Sequence, residues 1–346
     1  MQATEKEYRF SLEKGSRKIK CPGCGQKTAV RYVDGYTGEA LPEHVCRCDR
    51  ENHCGYHYTP KEYFRDNDLQ MSIPDKQEIA IQPPLPVDFI SPDLMQRSMA
   101  GYSESNFGQY IISLLGEKIG SALLLKYFVG RAKADGGKAN IFWRIDTEGR
   151  IRTGKIMVYH PGAGKRNKDI HPTWVHNSLQ LFNHELCFFG EHLIREYPEK
   201  TIAICESEKT AIIASFFFPQ YNWLATGGAS GCKWREYSVY KVLKNKNVIL
   251  FPDFGYYNKK SGKTCFQEWS DRANAIMDRM KCNIRVSAVL EKNIQEEERA
   301  NDYDLADMLV KRDEQTGIAL TDDNYPAIWD LATEFATELQ FNNATN

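Results

Sequence analysis

The chain has 346 residues, 42% of them hydrophobic and 26% charged, and its 45 basic and 46 acidic side chains leave a net charge of −1. That length allows two or three domains and a core that needs no disulfide staples. The near-neutral balance excludes nucleic-acid binding through bulk charge, so any such contact has to come from local basic patches.

The first stretch, MQATEKEYRFSLEK, is charged and lacks the apolar run of a secretory signal. Apolar runs such as Ala211 to Phe218 fall far short of the about 20 residues that cross a bilayer. The expectation is a cytoplasmic protein with no membrane partner. Residues 1–68 hold five of the 10 cysteines. Cysteines clustered in a long chain without a signal point to metal rather than disulfides. Cys21-Pro-Gly-Cys24 is a knuckle whose glycine permits a tight turn. Zinc takes four soft ligands in a tetrahedron, and Cys21, Cys24, Cys48 and Cys54 are the expected set, with Cys46 and His57 as competitors. With all four positions filled by protein, the zinc is structural. RYVDGYTGEA between the two halves suits a β-hairpin, so residues 1–68 read as a zinc ribbon. Basic and aromatic residues around it, among them Arg17, Lys20, Arg31, Tyr32 and Tyr56, have the mixture that single strands use.

Residues 69–94 are proline-rich and read as a linker. Residues 95–199 form a mixed region. SNFGQYIISLLGEKIGSALLLKYF has helical spacing, and NIFWRID and IRTGKIMVY alternate as strands around a TEGR turn. Its basic residues, Arg144, Arg152, Lys155 and Arg166 among them, are candidates to track a nucleic-acid backbone. From residue 200 to 315 strands alternate with helices: TIAIC, NWLAT, NVILF and NIRVSAVL, each with a helical segment after it or soon after. That alternation predicts a parallel sheet covered on both faces. Glu206 follows the first of these strands directly and Asp253 follows the third. Open α/β sheets place ligands at that edge, and gathered carboxylates suit Mg²⁺. Asp304 and Asp307 follow the fourth strand and are further candidate ligands, although a helix cap is the plainer reading of Asp304, as it is of Glu208. Gly227 and Gly228 would let backbone approach a phosphate. Residues 316–346 read as one amphipathic helix and a tail.

Glu206 with Lys209 and Thr210, then Ala225-Thr226-Gly227-Gly228, then Leu250-Phe251-Pro252-Asp253 resembles the TOPRIM domain of bacterial-type primases, topoisomerases and some nucleases. The closing DLADML, the segment FWRID…GRIRTGKIMVYHPG and the ribbon resemble primase-like proteins of bacterial mobile elements, so the resemblance spans nearly the whole chain. It implies an α/β fold: a TOPRIM parallel sheet, a preceding mixed α+β region and an N-terminal zinc β-ribbon. It also implies synthesis of short primers on DNA by nucleotidyl transfer. Mg²⁺ or Mn²⁺ would sit on Glu206, Asp253, Asp304 and Asp307, with Lys209 at a phosphate. Single-stranded DNA, nucleoside triphosphates and a separate replicative helicase are the implied partners. The family's Asp-x-Asp has Gly255 in its second place here. A TOPRIM nuclease and a catalytically inactive DNA-binding adaptor are the alternatives.

Overall fold

The structure is a computed structural model. It describes residues 9–13, 17–50, 53–69, 86–228, 231–255, 257–258, 261–301 and 303–316, with backbone alone at 300–301 and 311–316. The helix expected within 316–346, most of the linker 69–94, and Asp302 lie outside the described residues. The chain divides into two compact units, Met1–Leu85 and Pro86–Asn346.

In the first unit β1 (Phe10–Leu12), β2 (Ile19–Lys20) and β4 (Cys46–Cys48) all pair antiparallel with the long β3 (Lys27–Asp34). Helix α1 (Pro60–Asp66) starts on a capping box: Thr59 accepts from the Glu62 amide and Glu62 accepts from the Thr59 amide. The buried centre is small, and cysteines make up most of it: Cys21, Cys46 and Cys48 with Ala29.

The second unit opens with α2 (Pro92–Met99), α3 (Asn106–Leu115) and α4 (Glu117–Lys126). Gly116, at φ +83°, turns the chain between the last two in a conformation that costs other residues strain. Then come β5 (Val129–Ala132), a one-turn α5 (Ala134–Gly137), β6 (Ala139–Ile145), β7 (Ile151–Met157) and β8 (Thr173–Trp174), an antiparallel sheet in sequence order. After the single turn α6 (Leu193–Glu196) the pattern changes to β9 (Ile202–Cys205), α7 (Glu208–Phe217), β10 (Asn222–Ala225), α8 (Tyr237–Tyr240), β11 (Asn247–Phe251), α9 (Cys265–Met277), β12 (Asn283–Val286), α10 (Val289–Asn293) and α11 (Leu305–Thr316). The four strands form a parallel sheet in the order β10-β9-β11-β12.

Side chains alternate along these strands. Ala203, Cys205, Trp223, Ala225, Ile249 and Phe251 enter one core with α7, while Ile202, Ile204, Leu224, Val248 and Leu250 enter the other with Trp269, Ala273 and Ile276 of α9. A strand buried on both faces reads as a continuous apolar run, as TIAIC and NVILF do. The first core also takes in Phe107, Val129, Phe142 and Tyr159, so the antiparallel sheet and the parallel sheet share one interior. Each such side chain stabilises the unit by about 1.5–3 kcal/mol relative to leaving it in water. Phe189 and Ala225 exchange two backbone hydrogen bonds, both at 3.0 Å, which joins the segment after β8 to the free edge of β10.

Candidate metal centres and the charged edge

In the first unit the Gln26 carbonyl takes the Cys21 amide at 2.7 Å and the Cys21 carbonyl takes the Gly25 amide at 2.8 Å, which closes the first knuckle. The second knuckle closes on the Arg50 carbonyl, which accepts the Cys54 amide at 2.8 Å and the Gly55 amide at 3.2 Å. These turns bring the sulfurs of Cys21, Cys24, Cys48 and Cys54 within 4.8 Å of one another. Cys21 Sγ and Cys54 Sγ are 3.7 Å apart. A tetrahedron with zinc–sulfur bonds of about 2.3 Å has edges of about 3.8 Å, so the donors fit the ion. Thr28 Oγ1 lies 3.2 Å from Cys48 Sγ and 3.7 Å from Cys24 Sγ, a polar support behind two of the four. Hydrogen bonds, led by the Gln26 backbone, lower the Cys24 thiol to about 6. The competing residues fall outside the set. Cys46 is buried, which pushes its thiol up to about 11, and His57 Nε2 meets the Tyr32 hydroxyl at 2.6 Å.

In the second unit, strand register builds the other site. Cys205 pairs with Ala225 on one side and with Phe251 on the other. Three strands therefore end in step, and Glu206, Thr226 and Pro252-Asp253 leave the sheet along one edge. The Phe254 amide donates to the Tyr303 carbonyl at 2.8 Å and the Tyr303 amide to the Phe254 carbonyl at 3.2 Å, which brings the start of α11 to that edge. Asp253 is only partly exposed there. Burial first, and then the charges of Glu206 and Asp304, push its carboxyl well above the ordinary range, with Lys209 opposing. The Glu206 carbonyl accepts the Gly227 amide at 2.7 Å and the Gly228 amide at 3.1 Å, so the glycine turn folds back over the end of β9.

Asp304 and Asp307 do reach this edge, but as a reciprocal cap. The Asp307 amide donates to Asp304 Oδ1 at 2.8 Å, and the Asp304 amide to Asp307 Oδ2 at 3.3 Å. Thr210 Oγ1 donates to Asp304 Oδ2 at 2.9 Å, and Lys209 Nζ lies 3.3 Å from that oxygen and 2.9 Å from Asp307 Oδ1. All four carboxylate oxygens thus hold a donor already. Lys209, placed at a phosphate by the sequence reading, is held by this pair, which raises its pKa against the effect of burial. Among the described residues, the four cysteines are the set of potential ligands that meets within 4.8 Å. The acids form no such group of three among the described residues.

The basic residues assigned to a nucleic-acid backbone divide sharply. Arg166 is exposed. Arg144, Arg152 and Lys155 are buried, a correction with a clear cause: β6 and β7 are covered on both faces, so alternation does not carry these side chains to water. Arg152 pairs with Asp146 at 2.7 Å and Glu185 at 2.8 Å. Arg144 and Lys155 cross to the parallel sheet and grip Glu208. Arg144 Nη2 is 3.1 Å from Glu208 Oε1 and donates to the Thr226 carbonyl at 3.1 Å, while its Nη1 donates to the Cys187 carbonyl at 2.7 Å. Lys155 Nζ lies 3.2 Å from both Glu208 oxygens and donates to the Gly227 carbonyl at 2.7 Å. Burial raises the Glu208 carboxyl, yet Lys155 and Arg144 outweigh that and hold it below the usual range. Glu208 is thus a central residue that the sequence reading left as a helix cap. Gly227, at φ +79°, has no room for a side chain, since a Cβ would stand 1.9 Å from Arg144 Nη2 and 2.5 Å from Glu208 Oε1. Gly228, at φ +123°, has nothing within 4 Å of that position.

Residues 8–69 match the family model of a zinc beta-ribbon finger. The first unit is a zinc ribbon. Residues 105–254 match a family model described as a domain of unknown function, DUF6371, which spans both sheets of the second unit up to the end of β11. No curated protein matches the chain. Among solved structures, the primase fragment of the bacteriophage T7 primase-helicase is 17% identical, with 79% of this chain and 89% of that one covered and a TM-score of 0.35. The zinc-binding and RNA polymerase domains of the Aquifex aeolicus primase are 15% identical over 95% of this chain and 92% of that one, at a TM-score of 0.37. The DnaG primase catalytic domain bound to single-stranded DNA is 12% identical over 73% and 80%, at 0.39. Likenesses this distant leave function to be argued from the ribbon and the charged edge themselves.

Proposed function

We propose that this chain is a primase-like nucleotidyltransferase of the TOPRIM kind, making short primers on single-stranded DNA for a mobile element. The observation that carries the reading is the pair Glu206 and Asp253, set side by side by strand ends in register, with the Asp253 carboxyl driven up by burial and then by the Glu206 charge. Two acids converging in this way favour a bound cation. In this reading Glu206 and Asp253 hold Mg²⁺ or Mn²⁺, which supplies charge neutralisation for phosphoryl transfer. Asp304 and Asp307 fix the start of α11 and keep Lys209 beside the site. Arg144, Lys155 and Glu208 act as positioning residues, since they set the Thr226-Gly227-Gly228 turn through its carbonyls. Arg166 remains available to the template strand, and the ribbon is a second surface for it.

The test is incubation of the full chain with single-stranded DNA, labelled ribonucleoside triphosphates and Mn²⁺, followed by sizing of the products. Short oligomers are expected from the native protein, and Glu206→Gln should abolish them. Equal primer yield from both proteins would sink the catalytic reading. Gly255 favours a second one, a DNA-binding adaptor with a lost site. DNA binding by both proteins with primers from neither would support it.

A further inference from the structure

A second charged site lies along α9, on the face of the parallel sheet opposite α7. A cavity of about 380 Å³ is lined by Arg235, Tyr240, Lys263, Arg272 and Arg279, and by Ser261, Glu268 and Asp271 as well. The two acids are already taken: Asp271 Oδ2 is 2.5 Å from Lys263 Nζ, and Glu268 accepts the Ser261 hydroxyl at 2.9 Å. That leaves three guanidinium groups without a carboxylate partner among the described residues. Arg235 and Arg279 are exposed, and Arg279 reaches the Tyr240 hydroxyl at 3.4 Å.

Arg272 is the unusual member. The residue is 9% exposed, its guanidinium lies 4.4 Å from the centre of the Trp234 ring, and its Nη1 is buried with no hydrogen-bond partner among the described residues. A buried charged donor left unmatched is costly. Burial and then the nearby charge of Arg235 lower it to about 10. Trp269, Arg272, Ala273 and Ile276 form the inward face of α9, so the helix itself carries Arg272 inward, and Trp234 holds its plane. A guanidinium that lines a cavity can offer paired donors to a tetrahedral oxyanion.

We propose that this cavity is a binding site for phosphate groups, with Arg272 as its fixed anchor and Arg235 and Arg279 closing on the anion from the rim. Neither Glu206 nor Asp253 lines this cavity, although the Glu206 charge reaches Arg272, and the site needs no divalent cation. Its phosphate comes either from a free nucleoside polyphosphate or from the backbone of a nucleic-acid strand.

Calorimetric titration with sodium tripolyphosphate, with no added divalent metal and the zinc left in place, tests it. The native chain should bind saturably. An Arg235→Gln/Arg279→Gln double variant should bind at least about tenfold more weakly, as loss of charge-assisted hydrogen bonds implies. Arg272→Met should lose binding and yet melt at a higher temperature than the unliganded native protein, because an unmatched buried charge is gone. Glu206→Gln should bind tripolyphosphate at least as tightly as the native chain, since it removes only a negative charge near Arg272, so failure of the catalytic reading leaves this result standing. Displacement by ATP identifies a free nucleotide as the ligand, and displacement by oligo-deoxythymidylate alone identifies a strand. No saturable binding, or undiminished affinity in the double variant, overturns the proposal. So does a lower melting temperature in Arg272→Met, which would make the arginine a prop for Trp234.

Discussion

The cysteine cluster of the first unit and the acidic edge of the second both gather like-charged ligands, but they depend on a cation to different degrees. The four thiols meet within 4.8 Å, and the buried centre around them is mostly cysteine. Without an ion this unit has little to hold it together. The acids stand at the rim of a unit with two large apolar cores, and Lys209 already neutralises part of their charge. Zinc is thus part of the first fold, whereas a cation at the acidic edge, as proposed above, would be a guest on a fold that exists without it.

The sharpest way to break this comparison is to remove zinc. Chelation, or Cys48→Ser, is expected to unfold the first unit, since structural zinc in small fingers contributes on the order of 10 kcal/mol. The second unit should keep its melting transition. Calorimetry resolves the two, and joint loss of both transitions would refute the asymmetry. Next in size is Glu208→Ala. Removing the one acid that Arg144 and Lys155 share leaves two buried cations, and breaking such a pair costs about 3–5 kcal/mol. Urea denaturation of the second unit measures it, and a change near zero would mean that the ion cluster is not closed as described.

A smaller effect of opposite sign is expected at Asp253. Its folded pKa is raised, so the folded state binds the proton more tightly than the unfolded one. Its stabilising contribution is present at low pH and is lost as pH rises from the unfolded value of about 3.9 through the raised folded one. Asp253→Asn should flatten that part of the stability–pH curve and make the metal-free protein more stable at neutral pH. It should also weaken Mn²⁺ binding, and unaltered Mn²⁺ affinity would separate Asp253 from the metal site. The smallest effect is Arg166→Ala. One fewer phosphate contact should weaken single-stranded DNA binding slightly and reduce its salt slope by about 0.7. An unchanged slope would exclude Arg166 from the strand's path.

Much of this was legible in the residues. Two knuckles with their glycines named the same four cysteines that converge. Apolar strands ending in an acid located Glu206 and Asp253, because a parallel strand buried on both faces can release its first charge only at its end. Asp304 has the sequence position of a helix cap as well as of a metal ligand, and the structure shows the cap, with Asp307 as its reciprocal partner. Glu208 was not legible. Three residues past a strand and in the first turn of a helix, it has the local pattern of an exposed cap, and its partners Arg144 and Lys155 lie 64 and 53 residues away in the sequence. Nor was the burial of β6 and β7. Arg144 and Lys155 look like the wet side of a half-buried hairpin until the parallel sheet is docked over them. The same long-range packing hid Arg272, whose Nη1 has no hydrogen-bond partner among the described residues.

The grip of Arg144 and Lys155 on Glu208 also bears on how such a chain can be recombined. A parallel sheet cut out at residue 200 would carry a buried glutamate stripped of both its cations, and the antiparallel sheet left behind would carry two buried cations with no acid. Neither half is a portable module. Exchange of the second unit between related proteins should succeed when it moves whole, from Pro86 onward, and fail when the crossover falls between β8 and β9.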